Sequence, residues 1–261
     1  MKNKKSLGQH WLKNRVILEE IADLAAEGSA SETPEKTGVN DAKEPLCVEI
    51  GPGLGFLTSS LLKRFDKVIA VEFDTELAQK LPGSFPGKNL EVVNEDILKY
   101  DFDKLKEPFT IAGNIPYYIT SPIIEKVLSL SVKPRRVVLL VQKEVAERII
   151  SERETLLSLF VKNRANAWAG PVVKAAEFTP PPKVDSEVII LEPLSRPVVP
   201  EKVFELIKVG FKAPRKKLIH NLVGLKSKEE LTRIFADLNI DANARPGELS
   251  LKDWAKLDLV I

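Results

Sequence analysis

A glycine-rich turn between a predicted strand and a predicted helix constrains the fold of this chain more than any other feature. The apolar run 46–50 leads into Gly51-Pro52-Gly53-Leu54-Gly55, and residues 56–62 then show helical spacing. Strand, glycine turn and helix form the nucleotide-binding unit of open α/β sheets, because glycines let a ligand approach the backbone closely. Phe56 stands where the dinucleotide fingerprint needs its third glycine, which argues against a pyrophosphate ligand such as NAD.

Acidic residues follow the next two predicted strands. The strand at 67–72 ends in Glu72, and the strand at 90–93 leads into Asp96. An acid at the second strand end binds ribose hydroxyls in nucleotide folds, so we expect Glu72 to hold a ribose and Asp96 to accept from an adenine amine. Either acid alone is more often a solvated residue or a helix cap. In series beside the glycine turn, they favour S-adenosylmethionine as the ligand.

A polar tetrapeptide, Asn114-Ile115-Pro116-Tyr117, follows a further apolar run at 108–112 that ends at Gly113. The Asn114 amide oxygen and a backbone carbonyl beside Pro116 offer two acceptors for an exocyclic amine, and Tyr117 offers a ring for base stacking. An amine held in this way aims its lone pair at an incoming methyl group. The tetrapeptide alone also suits an ordinary polar turn. Beside the predicted methyl-donor site, it indicates methylation of a nucleobase amine.

The alternation of strands and helices predicts a mainly parallel α/β sheet. From residue 200 the pattern becomes helical, with Val203, Phe204 and Ile207 on one face. We therefore predict a catalytic domain at 1–195, with 28–45 as an inserted surface loop, and a helical domain at 196–261. The remaining predicted segments are a leading helix at 15–26, a strand at 135–141, and β-prone runs at 171–177 and 186–192 that suggest a closing antiparallel pair.

Composition excludes several classes of protein. The hydrophobic content of 44% in 261 residues is ordinary for a globular protein. Cys47 is the single cysteine, so an internal disulfide is excluded, and two histidines with one cysteine make a zinc cluster implausible. We predict no metal. No apolar run approaches the ~20 residues of a membrane span, and the basic N-terminus lacks a signal-peptide core, which predicts a cytoplasmic protein without membrane attachment.

The motifs together resemble the KsgA family, the adenosine dimethyltransferases of small-subunit ribosomal RNA, nearly from end to end. The resemblance rests on these segments: Leu7-Gly8-Gln9-His10-Trp11-Leu12, Glu49-Ile50 with the glycine turn, Val71-Glu72-Phe73-Asp74, Glu95-Asp96, Gly113 with the tetrapeptide, Gln142-Lys143-Glu144-Val145-Ala146-Glu147-Arg148, and Phe178-Thr179-Pro180-Pro181-Pro182-Lys183-Val184-Asp185-Ser186. The chain departs from the family at Tyr118, where members often carry Asn, and before Leu157-Ser158, where they carry Tyr-Gly-Arg.

The resemblance implies a Rossmann-like class I methyltransferase domain followed by a small all-helical RNA-binding domain. It implies formation of N6,N6-dimethyladenosine at two adjacent adenosines near the 3′ end of small-subunit rRNA. By this similarity Asn114 and Tyr117 hold the target base, with Phe178 as a second aromatic wall. The implied contacts to S-adenosylmethionine come from His10, Leu12, Gly51, Gly53, Glu72, Asp96 and Asn114.

The net charge is only +2, so affinity for nucleic acid must come from local patches. One such patch recurs at helical spacing in the C-terminal domain and resembles a basic stretch of the family. A charge run is often only a solvated face; here we expect contact with RNA phosphates. The expected partner is small-subunit rRNA within a ribosomal subunit precursor, bound by a monomer. The residues of this basic stretch are Lys212, Arg215, Lys216 and Lys217.

Two alternative functions remain open from the sequence. The nearer one is a large-subunit rRNA dimethyltransferase of the macrolide-resistance type, which shares the Asn-Ile-Pro-Tyr loop. The glycine turn, the Thr179-Pro180-Pro181-Pro182 segment and the basic stretch favour the small subunit. The second alternative is a non-catalytic ribosome assembly factor. Intact Asn114, Tyr117, Glu72 and Asp96 favour retained catalysis.

Overall fold

The computed structural model describes residues 9–27 and 44–261. The predicted insertion at 28–45 therefore lies outside the described residues except for its last two, as do Leu7 and Gly8 of the first motif. Contacts divide the chain into two compact units. The first contains residues up to 146 together with 166–193, and the second contains 147–165 together with 194–261.

The first unit carries the strands and the helices between them. In chain order these are β1 (Trp11–Leu12), α1 (Arg15–Ala26), β2 (Glu44–Ile50), α2 (Phe56–Arg64), β3 (Phe65–Glu72), α3 (Thr75–Lys80), β4 (Leu90–Asn94), β5 (Thr110–Asn114), α4 (Thr120–Leu128), β6 (Val137–Gln142) and α5 (Lys143–Ile150), which crosses the unit boundary after residue 146. Helix α6 (Leu156–Arg164) belongs to the second unit. The first unit then continues with β7 (Ala165–Val173), which starts at the boundary at 165/166, β8 (Phe178–Thr179) and β9 (Ser186–Pro193).

Within the described residues, seven strands form one sheet in the order β4-β3-β2-β5-β6-β9-β7, and β1 pairs with β8 separately. Neighbours from β4 to β6 run parallel, while β9 runs antiparallel to β6. This confirms the predicted mainly parallel sheet. The run predicted at 171–177 was placed too late, because β7 begins at Ala165 and residues 175–177 form a 3₁₀ turn. Pro171 is tolerated inside β7 because this strand lies at the sheet edge.

The chain order reverses between β2 and β5. From β2 the chain proceeds outward through β3 and β4, and β5 then begins the other side of the sheet. Ligands bind in the crevice at such a switch point, at the carboxyl ends of the strands. The register brings Ile50 opposite both Val71 and Gly113, and Glu72 opposite Asn94. The predicted site segments therefore begin at one edge of the sheet.

A glycine is required where β5 reaches this edge. A Cβ built on Gly113 would lie 2.8 Å from the backbone oxygen of Ile50 and 3.1 Å from its Cβ. Strand β5 extends through Asn114, one residue beyond the predicted end at Gly113. Asn114 is thus held by the sheet itself, and the irregular backbone begins after it.

One apolar core anchors the N-terminal segment to the first unit. It joins Leu12 of β1 and Leu18 of α1 to Leu61 of α2, Val138 of β6 and Phe178 of β8. Burying a large apolar side chain contributes about 1.5–3 kcal/mol. The Asn14 side chain caps α1 by accepting from the amides of Val16 and Ile17. Together these contacts fix the chain immediately after His10.

The second unit is helical and has a core of its own. Val203, Phe204 and Ile207 are buried on one face of α7, as predicted from their spacing. Leu159 of α6 packs in the same core, so residues 147–165, which were predicted to belong to the first domain, cluster with the second unit. The boundary between the two units after Pro193 lies two residues before the predicted domain boundary at 195/196. The helices of the second unit are α6 (Leu156–Arg164), α7 (Glu201–Gly210), α8 (Leu218–Leu222), α9 (Lys228–Asp237) and α10 (Leu251–Asp258).

Candidate active site

A cavity of about 230 Å³ opens within the first unit at the carboxyl edge of the sheet. Residues at or just after the ends of β2, β3, β4 and β5 line it, together with residues 9–12 of the N-terminal segment. All but one of the predicted site residues of this unit share the cavity wall. They are His10, Leu12, Gly51, Gly53, Glu72, Asp96, Asn114 and Tyr117.

The glycine turn forms one wall in a conformation that other residues rarely adopt. Gly51, Gly53 and Gly55 have φ angles of +64°, +57° and +82°. A Cβ on Gly53 would lie 3.3 Å from Nε1 of Trp11, and one on Gly55 would lie 2.8 Å from the side chains of Leu81 and Phe85. A Cβ on Gly51 would meet no protein atom within 4 Å, so this position adds open space to the wall. The turn thus leaves the backbone accessible to a ligand.

The Glu72 carboxylate is buried at the end of β3, 6% exposed, and both of its oxygens are held. Oε2 accepts from the Gly53 amide at 3.0 Å, and Oε1 accepts from the Asp74 amide at 2.8 Å. Burial raises the pKa of Glu72 above its ordinary value, while these two amides oppose the rise. The carboxylate therefore has one orientation relative to the glycine turn.

Asp96 is partly buried two residues after the end of β4. Its Oδ1 accepts from the Leu98 amide at 2.9 Å, which closes a local turn and orients the side chain at the cavity wall. The structure therefore places the two predicted acids on one wall, after neighbouring strands.

Glu49 is a cavity residue for which no role was predicted from the sequence. Its carboxylate is 1% exposed, and its Oε2 accepts from the Thr58 hydroxyl at 2.6 Å. Burial raises the pKa of Glu49 from 4.5 to about 8, and the nearby Glu72 charge adds to the rise. An acid within the apolar run 46–50, two residues before Gly51 of the glycine turn, was the sequence signal for this group.

Asn114 is anchored through its amide nitrogen. Nδ2 donates to the backbone carbonyl of His10 at 3.0 Å. This bond fixes the plane of the carboxamide, whose oxygen Oδ1 can accept a hydrogen bond. The Asn114–Tyr117 loop is thereby tied to the segment before β1, although 104 positions separate Asn114 and His10 in sequence.

Tyr117 is held at its ring and at its hydroxyl. The His10 ring stacks on it, with centroids 5.8 Å apart and an interplanar angle of 16°. The hydroxyl shares a hydrogen bond of 2.7 Å with Oγ of Ser186. Burial raises the pKa of the Tyr117 phenol, so it stays protonated near neutral pH. His10 in turn donates from Nδ1 to the Pro180 carbonyl at 2.7 Å.

Phe178 is the one predicted site residue of the first unit that does not line the cavity. Its side chain is 3% exposed in the core, it pairs with Leu12 across β1 and β8, and it is absent from the cavity wall. Its stacking role stays a prediction. Two aromatic rings of the cavity wall are exposed instead, Phe73 at 61% and Tyr118 at 62%.

The wall chemistry fits an adenosine-containing ligand. Buried or half-buried acids follow the ends of β3 and β4, the glycine turn leaves open space beside them, and Phe56, Phe73 and Ile97 supply apolar surface. The His, Cys, Asp and Glu side chains of residues 9–27 and 44–261 nowhere form a group of three suited to a metal ion. None of the helices in the described part of the chain has the length and apolar content needed to cross a membrane.

The basic stretch of the second unit is exposed but not helical. Lys212, Arg215, Lys216 and Lys217 lie in the turns between α7 and α8. The predicted helical spacing was therefore wrong, because Pro214 cannot donate the backbone bond of a helix interior and disfavours helix for the residue before it. Lys217 donates from Nζ to Oδ1 of Asn243 at 2.6 Å. The four cations remain at the surface, on a loop.

The raised pKa of Glu49 predicts a pH-dependent stability. The folded protein keeps this proton up to about pH 8, whereas the unfolded chain releases it near 4.5, so folding takes up a proton in this interval. The free energy of unfolding should therefore fall as the pH rises, by up to about 1.4 kcal/mol per pH unit from this group. Glu49→Gln should remove that slope in urea titrations, and exposed Glu91→Gln should keep it. Parallel curves for wild type and Glu49→Gln would contradict the assignment.

The chain is similar to known proteins over almost its whole length. The family profile "Ribosomal RNA adenine dimethylase" matches residues 1–260. A ribosomal RNA small subunit methyltransferase A from Rippkaea orientalis is 37% identical, covering 96% of this chain and 94% of its own. The same-named protein of Synechocystis sp. is 38% identical, covering 97% and 94%. A crystal structure of a dimethyladenosine transferase from Plasmodium falciparum superposes with a TM-score of 0.77 at 27% identity, covering 96% of each chain. This chain therefore belongs to the ribosomal RNA adenine dimethylase family.

Proposed function

We propose that this protein transfers methyl groups from S-adenosylmethionine to the N6 amines of two adjacent adenosines near the 3′ end of small-subunit rRNA. The product is N6,N6-dimethyladenosine, made in the cytoplasm by a monomer acting on a ribosomal subunit precursor. The observation that carries the proposal is the convergence of Glu72, Asp96, Asn114 and Tyr117 on one cavity. The relatives named small subunit methyltransferase A support the choice of substrate.

The cavity residues divide into a donor-binding set and a base-binding set. Glu72 binds the ribose hydroxyls, Asp96 accepts from the adenine amine, and the backbone around Gly51 and Gly53 faces the donor. His10 and Leu12 close the cavity from the N-terminal side. When bound, S-adenosylmethionine supplies an electrophilic methyl group on a sulfonium.

The base-binding set orients a weak nucleophile. The target adenosine leaves its stack, which costs a few kcal/mol and is cheapest in an unpaired loop. Tyr117 holds the base by stacking, while Oδ1 of Asn114 and a backbone carbonyl beside Pro116 accept the two N–H bonds of the amine. The amine then keeps its lone pair directed at the methyl carbon. Catalysis comes mainly from orientation and placement of charge.

The same residues distinguish catalysis from a binding-only role. An assembly factor needs a surface for RNA but no anchored carboxamide beside a donor cavity. Asn114 is held by the sheet and by His10, and Glu72 is held by two amides, so both are preorganised. Such preorganisation favours an enzyme.

Donor binding should depend on the Glu72 carboxylate. Glu72→Ala should weaken S-adenosylmethionine binding by about 1.5–3 kcal/mol, since it removes hydrogen bonds to a charged group. Glu72→Gln keeps an acceptor for the Gly53 amide and should bind more tightly than the alanine variant. Calorimetry on folded protein measures both, with exposed Glu91→Ala as the matched acidic control. Wild-type affinity in Glu72→Ala would remove this residue from the donor site.

Methyl transfer should depend on Asn114. Asn114→Ala should slow single-turnover methylation of small-subunit particles by about 100-fold or more, because the amine loses its orienting acceptor. Asn89→Ala is the matched control, since Asn89 also donates from Nδ2 to a backbone carbonyl, that of Asp66, but lies outside the cavity wall. Mass spectrometry of rRNA incubated with labelled donor locates the methyl groups. A fully active Asn114→Ala enzyme would disprove the amine-methylation proposal.

RNA affinity should depend on the basic stretch. Replacing Arg215, Lys216 and Lys217 together with glutamine should weaken RNA binding and flatten its salt dependence. The slope should change by about 0.9 log units per log salt for each duplex phosphate that the variant no longer neutralises. Phosphate binding of this kind holds the RNA in place without reading its sequence, and donor affinity should stay unchanged.

A charge-matched variant controls for net charge. Lys228, Arg233 and Lys252 are exposed cations of the same unit outside the basic stretch. Their joint replacement with glutamine removes the same charge but should preserve the salt slope. Equal slopes for wild type and the basic-stretch variant would show that the stretch is only a solvated surface.

A further inference from the structure

We infer that Ser186 is a positioning residue that sets the orientation of the Tyr117 ring for methyl transfer. The inference deepens the proposed function and rests on it. Ser186 ends the Phe178–Ser186 segment, whose predicted contribution to the site was Phe178. The structure shows Phe178 in the core and Ser186 in contact with Tyr117 of the Asn114–Tyr117 loop.

Ser186 is held rigidly by the sheet. It is the first residue of β9, it is fully buried, and it pairs with Gln142 in the antiparallel β6–β9 ladder. Tyr117 begins a 3₁₀ turn outside the sheet, where its backbone carbonyl accepts from Oγ1 of Thr120 at 3.1 Å. The 2.7 Å bond between the two hydroxyls therefore joins a loop side chain to the sheet.

The two contacts of the Tyr117 side chain fix different torsions. The phenol oxygen lies on the axis of χ2 rotation, so a hydrogen bond to it restrains χ1 but leaves the ring free to rotate about that axis. The parallel His10 ring, at 5.8 Å and 16°, restrains that rotation. Ser186 and His10 together define the plane on which a base stacks. His10 stacks on one face of the ring, so we expect the base on the other face.

Neither hydroxyl of this bond is charged near neutral pH. Burial raises the pKa of the phenol, while the Ser186 bond opposes the rise. Both partners remain neutral hydroxyls, and the contact persists without a change of charge. Removing one hydroxyl leaves the other without this partner, whereas removing both leaves neither behind unpaired.

A tilted ring should affect the reaction more than RNA capture. The base still stacks on Tyr117, but its amine no longer points along the line of attack, and small misplacements of reacting atoms strongly lower rates. The maximal rate should therefore fall, while the RNA concentration for half-maximal rate should change little. Donor affinity should match wild type.

A double-mutant cycle tests the inference. Ser186→Ala and Tyr117→Phe should each slow single-turnover methylation at saturating donor and RNA by about tenfold, equivalent to about 1.4 kcal/mol. The double variant should be about as slow as either single variant, because both remove the same bond. Ser186→Thr restores a hydroxyl and should recover part of the rate.

Ser60→Ala is the matched control. Ser60 is also a buried serine whose hydroxyl donates to a side chain, Glu19 at 3.0 Å, but it lies outside the cavity wall. Urea unfolding of every variant separates loss of fold from loss of rate, and rates are compared at a temperature where all variants are folded. Ser60→Ala should keep the wild-type rate.

Each outcome decides the inference. A wild-type rate in folded Ser186→Ala, or single effects that multiply in the double variant, would overturn it. Coupling seen only in unfolding free energies, with unchanged rates, would also overturn it, because the bond would then be structural alone. If the wild-type protein leaves small-subunit adenosines unmethylated, the proposed function fails and the inference with it. If wild type methylates and Ser186→Ala does so equally fast, the inference alone fails.

Discussion

The close parallel pairing of β2 with β5 is the constraint on which the site depends. Ile50 and Gly113 face each other at the end of this pair, and a Cβ on Gly113 would collide with the Ile50 carbonyl at 2.8 Å. Because the two strands approach so closely, the glycine turn after β2 and Asn114 at the end of β5 line the same cavity. The strand order reverses between β2 and β5. Ligands bind in the crevice at such a switch point, at the carboxyl ends of the strands.

The polar groups at this edge are preorganised at an electrostatic cost. Glu49 and Glu72 are both buried, and burial raises the pKa of each carboxyl. Hydrogen bonds from Thr58, Gly53 and Asp74 oppose the rise and fix the orientation of the two carboxyl groups. A raised pKa at two neighbouring acids in a cavity is typical of functional sites.

The Asn114–Tyr117 loop is held by contacts from segments that are remote in sequence. His10 stacks on Tyr117 and accepts from Asn114 through its carbonyl, and Ser186 bonds the Tyr117 hydroxyl. These residues come from the N-terminal segment and from β9. The Tyr117 ring and the Asn114 amide are thus fixed in orientation, as the proposed binding of a base requires. Orientation of this kind is what a reaction with an already activated methyl group requires.

Local patterns in the chain were sufficient to predict the alternating strands and helices, the glycine turn and the polar residues at successive strand ends, because periodicity and glycine chemistry are local properties. They therefore located Glu72, Asp96 and Asn114 correctly at strand ends. The folded structure was needed to show that Phe178 is buried in the core, that Ser186 contacts Tyr117, and that α6 packs with the C-terminal helices. These outcomes depend on packing between segments far apart in the chain, and no local pattern of residues encodes such contacts.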